Sequence, residues 1–348
     1  MPDFNPRLRV LMMPPIAWNT DHRPGVEPDP LRLFEALRCL GIDVDVLNPG
    51  QRPWNPFSGH GTFLQALDPL RALRVMLKGR HYDYVISVFQ AGAVPLALLR
   101  GLFGYRVPIG LWDMNLEPDW RLGQWAMGFV APRLQLLLTL TEVQRRYIEQ
   151  TWASSSTEVI SHYVDEQFYT PGVPPALDGY ALSVGNDVGR DYAVLLDACG
   201  NGGGREVVIR TNLALDEAPR RVRVVRERLP YTELRELYRG ARYVIVPLKP
   251  TLNPSGVSAI LEAAAMGRPA IVTDVEASRA FVCADETALV VPQGDSAALA
   301  AAMSRLDADD ELCRSLGENA RRLVEREYSV DAFASRFAAA LRNRLMAG

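Results

Sequence analysis

At 348 residues the chain is long enough for two domains, each able to bury its own core. Its net charge of −3, from 38 basic and 41 acidic residues, gives no general pull toward nucleic acid or anionic lipid and argues against a dedicated nucleic-acid binder. Four scattered cysteines without a C-x-x-C pair suggest neither a disulfide framework nor a zinc site, and they suit a reducing cytoplasm.

The first residues, MPDFNPRLRV, carry Asp3 and two prolines and do not read as a signal peptide. LRVLMM, from Leu8, opens a series of short apolar runs: DVDVLN from Asp43, YVISV from Tyr84, PIGLW from Pro108, QLLLTL from Gln135 and EVIS from Glu158. Helix-length segments separate most of them. The loop after the first run holds Asp21, His22 and Arg23, which at a strand's carboxyl end are either acceptor contacts or solvated loop residues. Asp113, just past PIGLW, either orients or deprotonates a substrate hydroxyl or closes a turn. The stretch DWRLGQWAMGFVAPRLQ, from Asp119, mixes two tryptophans with apolar residues and two arginines; it reads as a core helix or as a helix lying on a membrane surface.

YTPGVPPALDG, from Tyr169, has three prolines and two glycines and breaks the pattern. The series then restarts with ALSV from Ala181, EVVIR from Glu206, VRVV from Val222, YVIVP from Tyr243, AIVT from Ala270 and ALVV from Ala288. Continuous apolar runs alternating with helices imply parallel strands covered on both faces, hence two doubly wound α/β domains. From Asp295 onward the chain reads as helical, with Asp295 or Ser296 and then Asp309 and Asp310 at helix starts.

The most informative segment is NPSGVSAILEAAAMGRPAIVTD, from Asn253. It predicts a strand–loop–helix–strand unit in which Ser255, Ser258 and Glu262 share a helix face, with Gly267 and Pro269 ending the helix. A helix start with free amides favours a phosphate, and Gly256 lets a diphosphate approach the backbone of Val257 and Ser258. Glu262, about 10 Å further along the axis, can accept hydrogen bonds from the vicinal hydroxyls of a sugar. The plainer reading makes the serines caps and Glu262 a solvated side chain. No two histidines have metal-ligand spacing, so no metal is expected.

This segment resembles the signature of the family 4 retaining glycosyltransferases, "LEAMA-x-G-x-PV" after an acidic-Gly loop. HYVDEQFYTP from His162, ALSVGNDVGRDYAVLLDA from Ala181, LPYTELRELYRGARYVIVP from Leu229 and the final strand and helices resemble further motifs of that family, in order, over residues 160–346. The resemblance implies a GT-B fold of two Rossmann-like domains facing across a cleft. It puts an acceptor-binding domain at 1–168, a linker at 169–180, a nucleotide-sugar-binding domain at 181–328 and a terminal helix, 329–348, packed back on the first domain. It implies a hexosyl- or deoxyhexosyltransferase that moves a sugar from a nucleotide-diphosphate sugar to an acceptor hydroxyl with retention. That chemistry belongs to glycan, glycolipid or glycosylated natural-product synthesis.

Carried over by position, Glu262 matches the acid that holds the ribose, and Gly256, Val257 and Ser258 the amides that meet the diphosphate. Arg190 stands at the phosphate-binding lysine, a task an arginine performs bidentately. Partners expected are the donor, a glycan, lipid-linked or small-molecule acceptor, and a peripheral contact with the inner face of the membrane; nucleic acid is not one, and no cofactor is needed. Four departures stand out. Pro254 replaces the first acid of the Glu-x7-Glu motif, Asn186 replaces a phosphate-binding arginine, one glycine (Gly25) stands in the loop after strand one, and LWDMN lacks the family's histidine. They keep a second expectation open: a catalytically silent GT-B domain that binds a nucleotide-sugar or partners an active enzyme.

Overall fold

The computed structural model describes residues 7–15, 18, 30–49, 69–78, 81–112, 116, 118–152, 154, 156–172, 178–200 and 204–347. They fall into two compact units, the described parts of 7–161 with 334–347, and of 162–333.

The first unit is built on six parallel strands, β1 (Leu8–Met13), β2 (Ile42–Val46), β3 (Tyr84–Val88), β4 (Ile109–Trp112), β5 (Leu136–Thr139) and β6 (Thr157–Val159). Their order is β2-β1-β3-β4-β5-β6. Strands β3, β4 and β5 are buried along their whole length, as central parallel strands covered on both faces must be, while β2 at the edge is largely half-exposed. Five described helices connect them: α1 (Pro30–Cys39), α2 (Pro69–Lys78), α3 (Gln90–Phe103), α4 (Arg121–Val130) and α5 (Glu142–Trp152). The chain steps one way from β1 to β2 and the other way from β2 through β6. Right-handed crossovers therefore put α1 on one face of the sheet and α2 to α5 on the other.

The second unit repeats the plan. Its strands are β7 (Tyr180–Val184), β8 (Val207–Arg210), β9 (Val222–Val225), β10 (Ala241–Val246), β11 (Ala270–Thr273) and β12 (Ala288–Val291), all parallel, in the order β12-β11-β10-β7-β8-β9. Its helices are α6 (Tyr192–Cys199), α7 (Tyr231–Gly240), α8 (Val257–Ala265), α9 (Ser296–Ala308) and α10 (Asp310–Leu323). Alternate residues of each strand feed two separate cores. Leu182, Val208, Val244 and Val272 meet α7 and α8, whereas Ala181, Val207, Ile245 and Ile271 meet α6, α9 and α10. All twelve apolar runs read from the sequence are strands, with ends shifted by at most two residues.

The capping signals also hold. Asp295 Oδ1 accepts from Ala298 N at 2.8 Å, and Asp309 Oδ1 from Leu312 N at 2.8 Å. Buried Arg242 closes the other end of α9, donating to Leu306 O at 2.8 and 2.9 Å and to Asp310 Oδ1 at 2.6 Å. The last helix, α11 (Val330–Ala347), supplies residues 334–347 to the first unit. There Phe337 packs on Trp112 and Arg344 pairs with Glu158 at 3.0 Å.

Tyr169 belongs to the core of the second unit and is 2 % exposed. The turn before it is held by Asp165 Oδ1, which accepts from Gln167 N and Phe168 N, both at 3.1 Å. Arg321 of α10 fixes the same segment, donating to the carbonyls of Glu166, Tyr169 and Ala265 at 3.0, 3.0 and 2.7 Å. One half-buried guanidinium thus ties the Tyr169 segment to the end of α8.

Candidate functional site

In the second sheet the chain runs from β7 outward to β8 and β9, then returns to β10 and continues outward through β11 and β12. The carboxyl ends of β7 and β10 are therefore the switch point, where open α/β sheets bind ligands. The loops that leave these two strands are stitched together. Asp191 N donates to Pro247 O at 3.0 Å, Lys249 N to Gly189 O at 2.8 Å, and Arg190 forms an isolated antiparallel bridge with Leu248. The first loop carries Arg190, and the second leads through Ser255 and Gly256 into α8.

Helix α8 starts without a side-chain cap. Its N-cap residue is Gly256, at φ 78°, ψ 0°, a left-handed conformation that penalises any side chain. A Cβ on Gly256 would lie 2.6 Å from Val246 Cγ1 and 3.1 Å from Arg190 Nη1, so the guanidinium packs directly on the helix start. The arginine side chain is only 3 % exposed. Its Nε donates to Asp187 Oδ2 at 2.9 Å, while Nη1 is buried with no hydrogen-bond partner. A buried guanidinium N–H without an acceptor is costly, and the cost is relieved by an anion arriving at the uncapped amides beside it. The 41 % exposed Asp187 carboxylate neutralises the arginine only in part.

Of the nine residues of α8, Ser258 is exposed and Glu262 half-buried, its carboxyl end turned inward; the small alanines let the other seven sit tightly on the sheet. Glu262 does not wait for a ligand to satisfy it. Its Oε2 accepts from the Tyr238 hydroxyl of α7 at 2.7 Å. Tyr238 is fully buried and meets Tyr169 edge-on, ring centroids 6.1 Å apart. The Tyr169 hydroxyl is buried beside the same carboxyl without a well-formed hydrogen bond. Burial pushes the Glu262 carboxyl up to about 7, opposed by the Tyr238 hydroxyl, the Tyr169 hydroxyl and the positive charge of Arg190. The carboxyl is thus coupled electrostatically to Arg190 across the start of α8.

Two features of the sequence reading need correction. Ser255 lies before the helix, so it does not share a helical face with Ser258 and Glu262; its Oγ sits 3.5 Å from Thr251 Oγ1 and against Gly189. Glu262 takes its first partner from the protein, at a tyrosine 24 residues earlier, which no i±4 rule on its own helix reveals. Sequence reasoning also missed Asp187 and Tyr169. The only signal for Tyr238 was its place in LPYTELRELYRGARYVIVP, one turn before the buried strand β10. Asn186, at the position of an expected arginine, does structural work: its Oδ1 accepts from Asn212 N at 2.8 Å. Pro254, at the position of an expected acid, is buried. Asp21, His22 and Asp113 lie outside the described residues. Among the described residues no group of three His, Cys, Asp or Glu side chains is placed to hold a metal ion.

Residues 188–309 match the family model described as glycosyl transferases group 1. The chain carries a glycosyl transferases group 1 domain on a GT-B fold. The match spans the arginine, the uncapped helix and Glu262 together. Solved structures agree over nearly the whole length. Sucrose-phosphate synthase from Thermosynechococcus elongatus superposes with a TM-score of 0.73 at 17 % identity, covering 98 % of this chain and 100 % of that one. HepE of Anabaena in complex with UDP and glucose gives 0.68 at 14 % identity, covering 96 % and 99 %. The UDP-forming α,α-trehalose-phosphate synthase from Burkholderia vietnamiensis gives 0.69 at 14 % identity, covering 98 % of each chain. These likenesses show the fold. Comparison with curated protein sequences gives no significant match.

The seat of Arg190 can be tested without touching its charge. A Cβ at Gly185 would lie 2.2 Å from Arg190 Nε. Gly185→Ala therefore displaces the guanidinium, the movable end of a long side chain, and leaves the backbone in place. Nucleoside diphosphate affinity is expected to fall about tenfold, as one charge-assisted hydrogen bond is misplaced. The melting temperature should stay within a few degrees. Unchanged affinity in a titration would show that the observed position of Arg190 is not the binding position.

Proposed function

We propose that this glycosyltransferase transfers a hexosyl or deoxyhexosyl group from a nucleotide-diphosphate sugar to an acceptor hydroxyl, with retention and without a metal ion. The observation that carries the proposal is Arg190 Nη1, buried and without an acceptor, packed on the uncapped start of α8 at the switch point of the sheet. In this reading the diphosphate lies on the amides of Gly256, Val257 and Ser258 and on Arg190. These groups stabilise the charge that grows on the leaving nucleoside diphosphate as the glycosidic bond breaks, and they are oriented before the reaction begins. Glu262, oriented by Tyr238, holds the ribose hydroxyls. Neighbouring folds solved with UDP or UDP-glucose make a UDP-sugar the first donor to test. Asp113 is assigned to the acceptor hydroxyl, and Asp21 and His22 to acceptor binding, from their places in the sequence after the residues of β4 and β1. Retention is carried by the family likeness. Glycan, glycolipid or glycosylated natural-product synthesis is the setting that fits.

Pro254 favours one second reading, a catalytically silent GT-B protein that binds a nucleotide-sugar or partners an active transferase. Both readings bind nucleotide, but only an enzyme releases nucleoside diphosphate in proportion to acceptor. The deciding experiment supplies a panel of nucleotide-sugars and acceptor extracts and follows that release. Acceptor-dependent release that falls in Asp113→Asn, with UDP affinity kept, supports transfer. Tight nucleotide binding with no release from any pairing supports the silent domain.

A further inference from the structure

Among the described residues nine large hydrophobic side chains are exposed, and six of them lie on three consecutive helices of the first unit. They are Leu70 and Leu77 of α2, Leu98 of α3, and Leu122, Trp125 and Phe129 of α4. The three helices are neighbours, α2 against α3 and α3 against α4, on the same face of the sheet. Along α4 the apolar residues recur at i, i+3 and i+7, a single stripe turned away from the core side chains Met127 and Val130. Trp125, at 73 % exposure, and Leu77, at 68 %, are too open to be core residues at the margin. A patch of this kind on a monomer marks a binding surface.

The charge on the same helices says what it binds. PLRALRVMLK, QAGAVPLALLRGLF and RLGQWAMGFV contain no Asp or Glu, in a chain with 41 acidic residues. Arg74, Arg121 and Arg133 are exposed among the apolar side chains. The Arg133 guanidinium lies 3.7 Å from the Phe129 ring centroid and donates to Phe129 O at 2.6 Å, which holds a cation beside the aromatic edge of the patch. The patch ends at α5, where Glu142, Arg145, Arg146 and Glu149 restore an ordinary mixed surface. Aliphatic and aromatic side chains interleaved with arginine, with no carboxylate on the three helices themselves and Asp119 at the entry to α4 as the nearest described acid, match the interfacial layer of an anionic bilayer. Trp and Phe sit there at headgroup depth and arginine meets lipid phosphate. Net charge hides this, because the overall −3 averages three acid-free helices with the rest of the chain.

We propose that the α2–α3–α4 face docks this protein on an anionic lipid bilayer. The full-length protein is tested by co-sedimentation with phosphatidylcholine vesicles, with and without phosphatidylglycerol. The expected result is binding to phosphatidylglycerol-containing vesicles that weakens with salt and is much lower on phosphatidylcholine alone. Leu122→Ser with Trp125→Ser lowers the partition coefficient at least about tenfold. Arg121→Gln and Arg133→Gln each lower it about fivefold. All these variants keep the wild-type melting temperature and UDP affinity, since both serine sites are exposed. Absence of vesicle binding, or equal binding by the serine variant, overturns the proposal. So does a wild-type dimer that the serine variant dissolves, which would assign the face to a second copy of the chain.

Discussion

Replacing Arg190 with alanine is expected to weaken UDP binding by about 10- to 150-fold, the range for losing one charge-assisted hydrogen bond. Uridine, which has no phosphate, should bind both proteins alike. The selectivity follows from position: the guanidinium is buried against Gly256 at the helix start and has an N–H still without a partner. Its one carboxylate partner, Asp187, has a 41 % exposed side chain and can turn to water when the arginine is gone, so the fold should survive. Calorimetric titration of UDP and of uridine into both proteins, with melting curves alongside, makes the comparison. Equal weakening of the two ligands would make Arg190 a structural residue that tethers the loop after β7 to the segment after β10.

The second large effect is a pH dependence located in one side chain. The Glu262 carboxyl is held up to about 7 by burial. In the proposed site ribose hydroxyls donate to the carboxylate, so the bound state would favour the ionised form and binding below pH 7 would release a proton. UDP-glucose affinity should rise about tenfold between pH 6 and pH 8 and then level off, since each unit below the titration point costs a decade of ionised protein. The donor sugar blocks the terminal phosphate, so the ligand contributes no titration of its own. Glu262→Gln removes the charge and keeps the shape. It is expected to bind at least about tenfold more weakly at pH 8 and to show no rise. Tyr238→Phe gives the opposite kind of change. The Tyr238 hydrogen bond lowers the Glu262 titration point, so losing it moves the rise to higher pH while affinity well above that point is largely retained. A wild-type profile as flat as that of the glutamine variant would remove Glu262 from the binding site.

The parts of this molecule that were legible in the sequence are those written in local pattern. Central parallel strands are apolar along their whole length, so they could be read as runs such as YVISV and AIVT, and the edge strands from shorter runs at the same spacing. Helix α8 was legible because Gly256, the alanine-rich face and Gly267 mark its two ends, and Glu262 because it is the lone carboxylate on that helix. What was not legible depends on the tertiary fold. Tyr238 reaches Glu262 from a different helix, and Tyr169 arrives on a segment pinned by Arg321 from a third. Ser255 fitted a helical spacing, yet the left-handed turn at Gly256 leaves it outside the helix. The apolar face of α4 had two readings, core or surface. Only the packing decides, burying Met127 and Val130 and leaving Trp125 in solvent.

In the proposed function the start of α8, Arg190 and Glu262 form one nucleotide-diphosphate site. The most direct test is a crystal structure of the protein grown with UDP. The diphosphate is expected within hydrogen-bond distance of the Gly256–Ser258 amides and of Arg190 Nη1, with the ribose hydroxyls on Glu262 and the Tyr238–Glu262 bond intact. UDP bound elsewhere, or with its ribose away from Glu262 and Arg190 still paired only with Asp187, would contradict it.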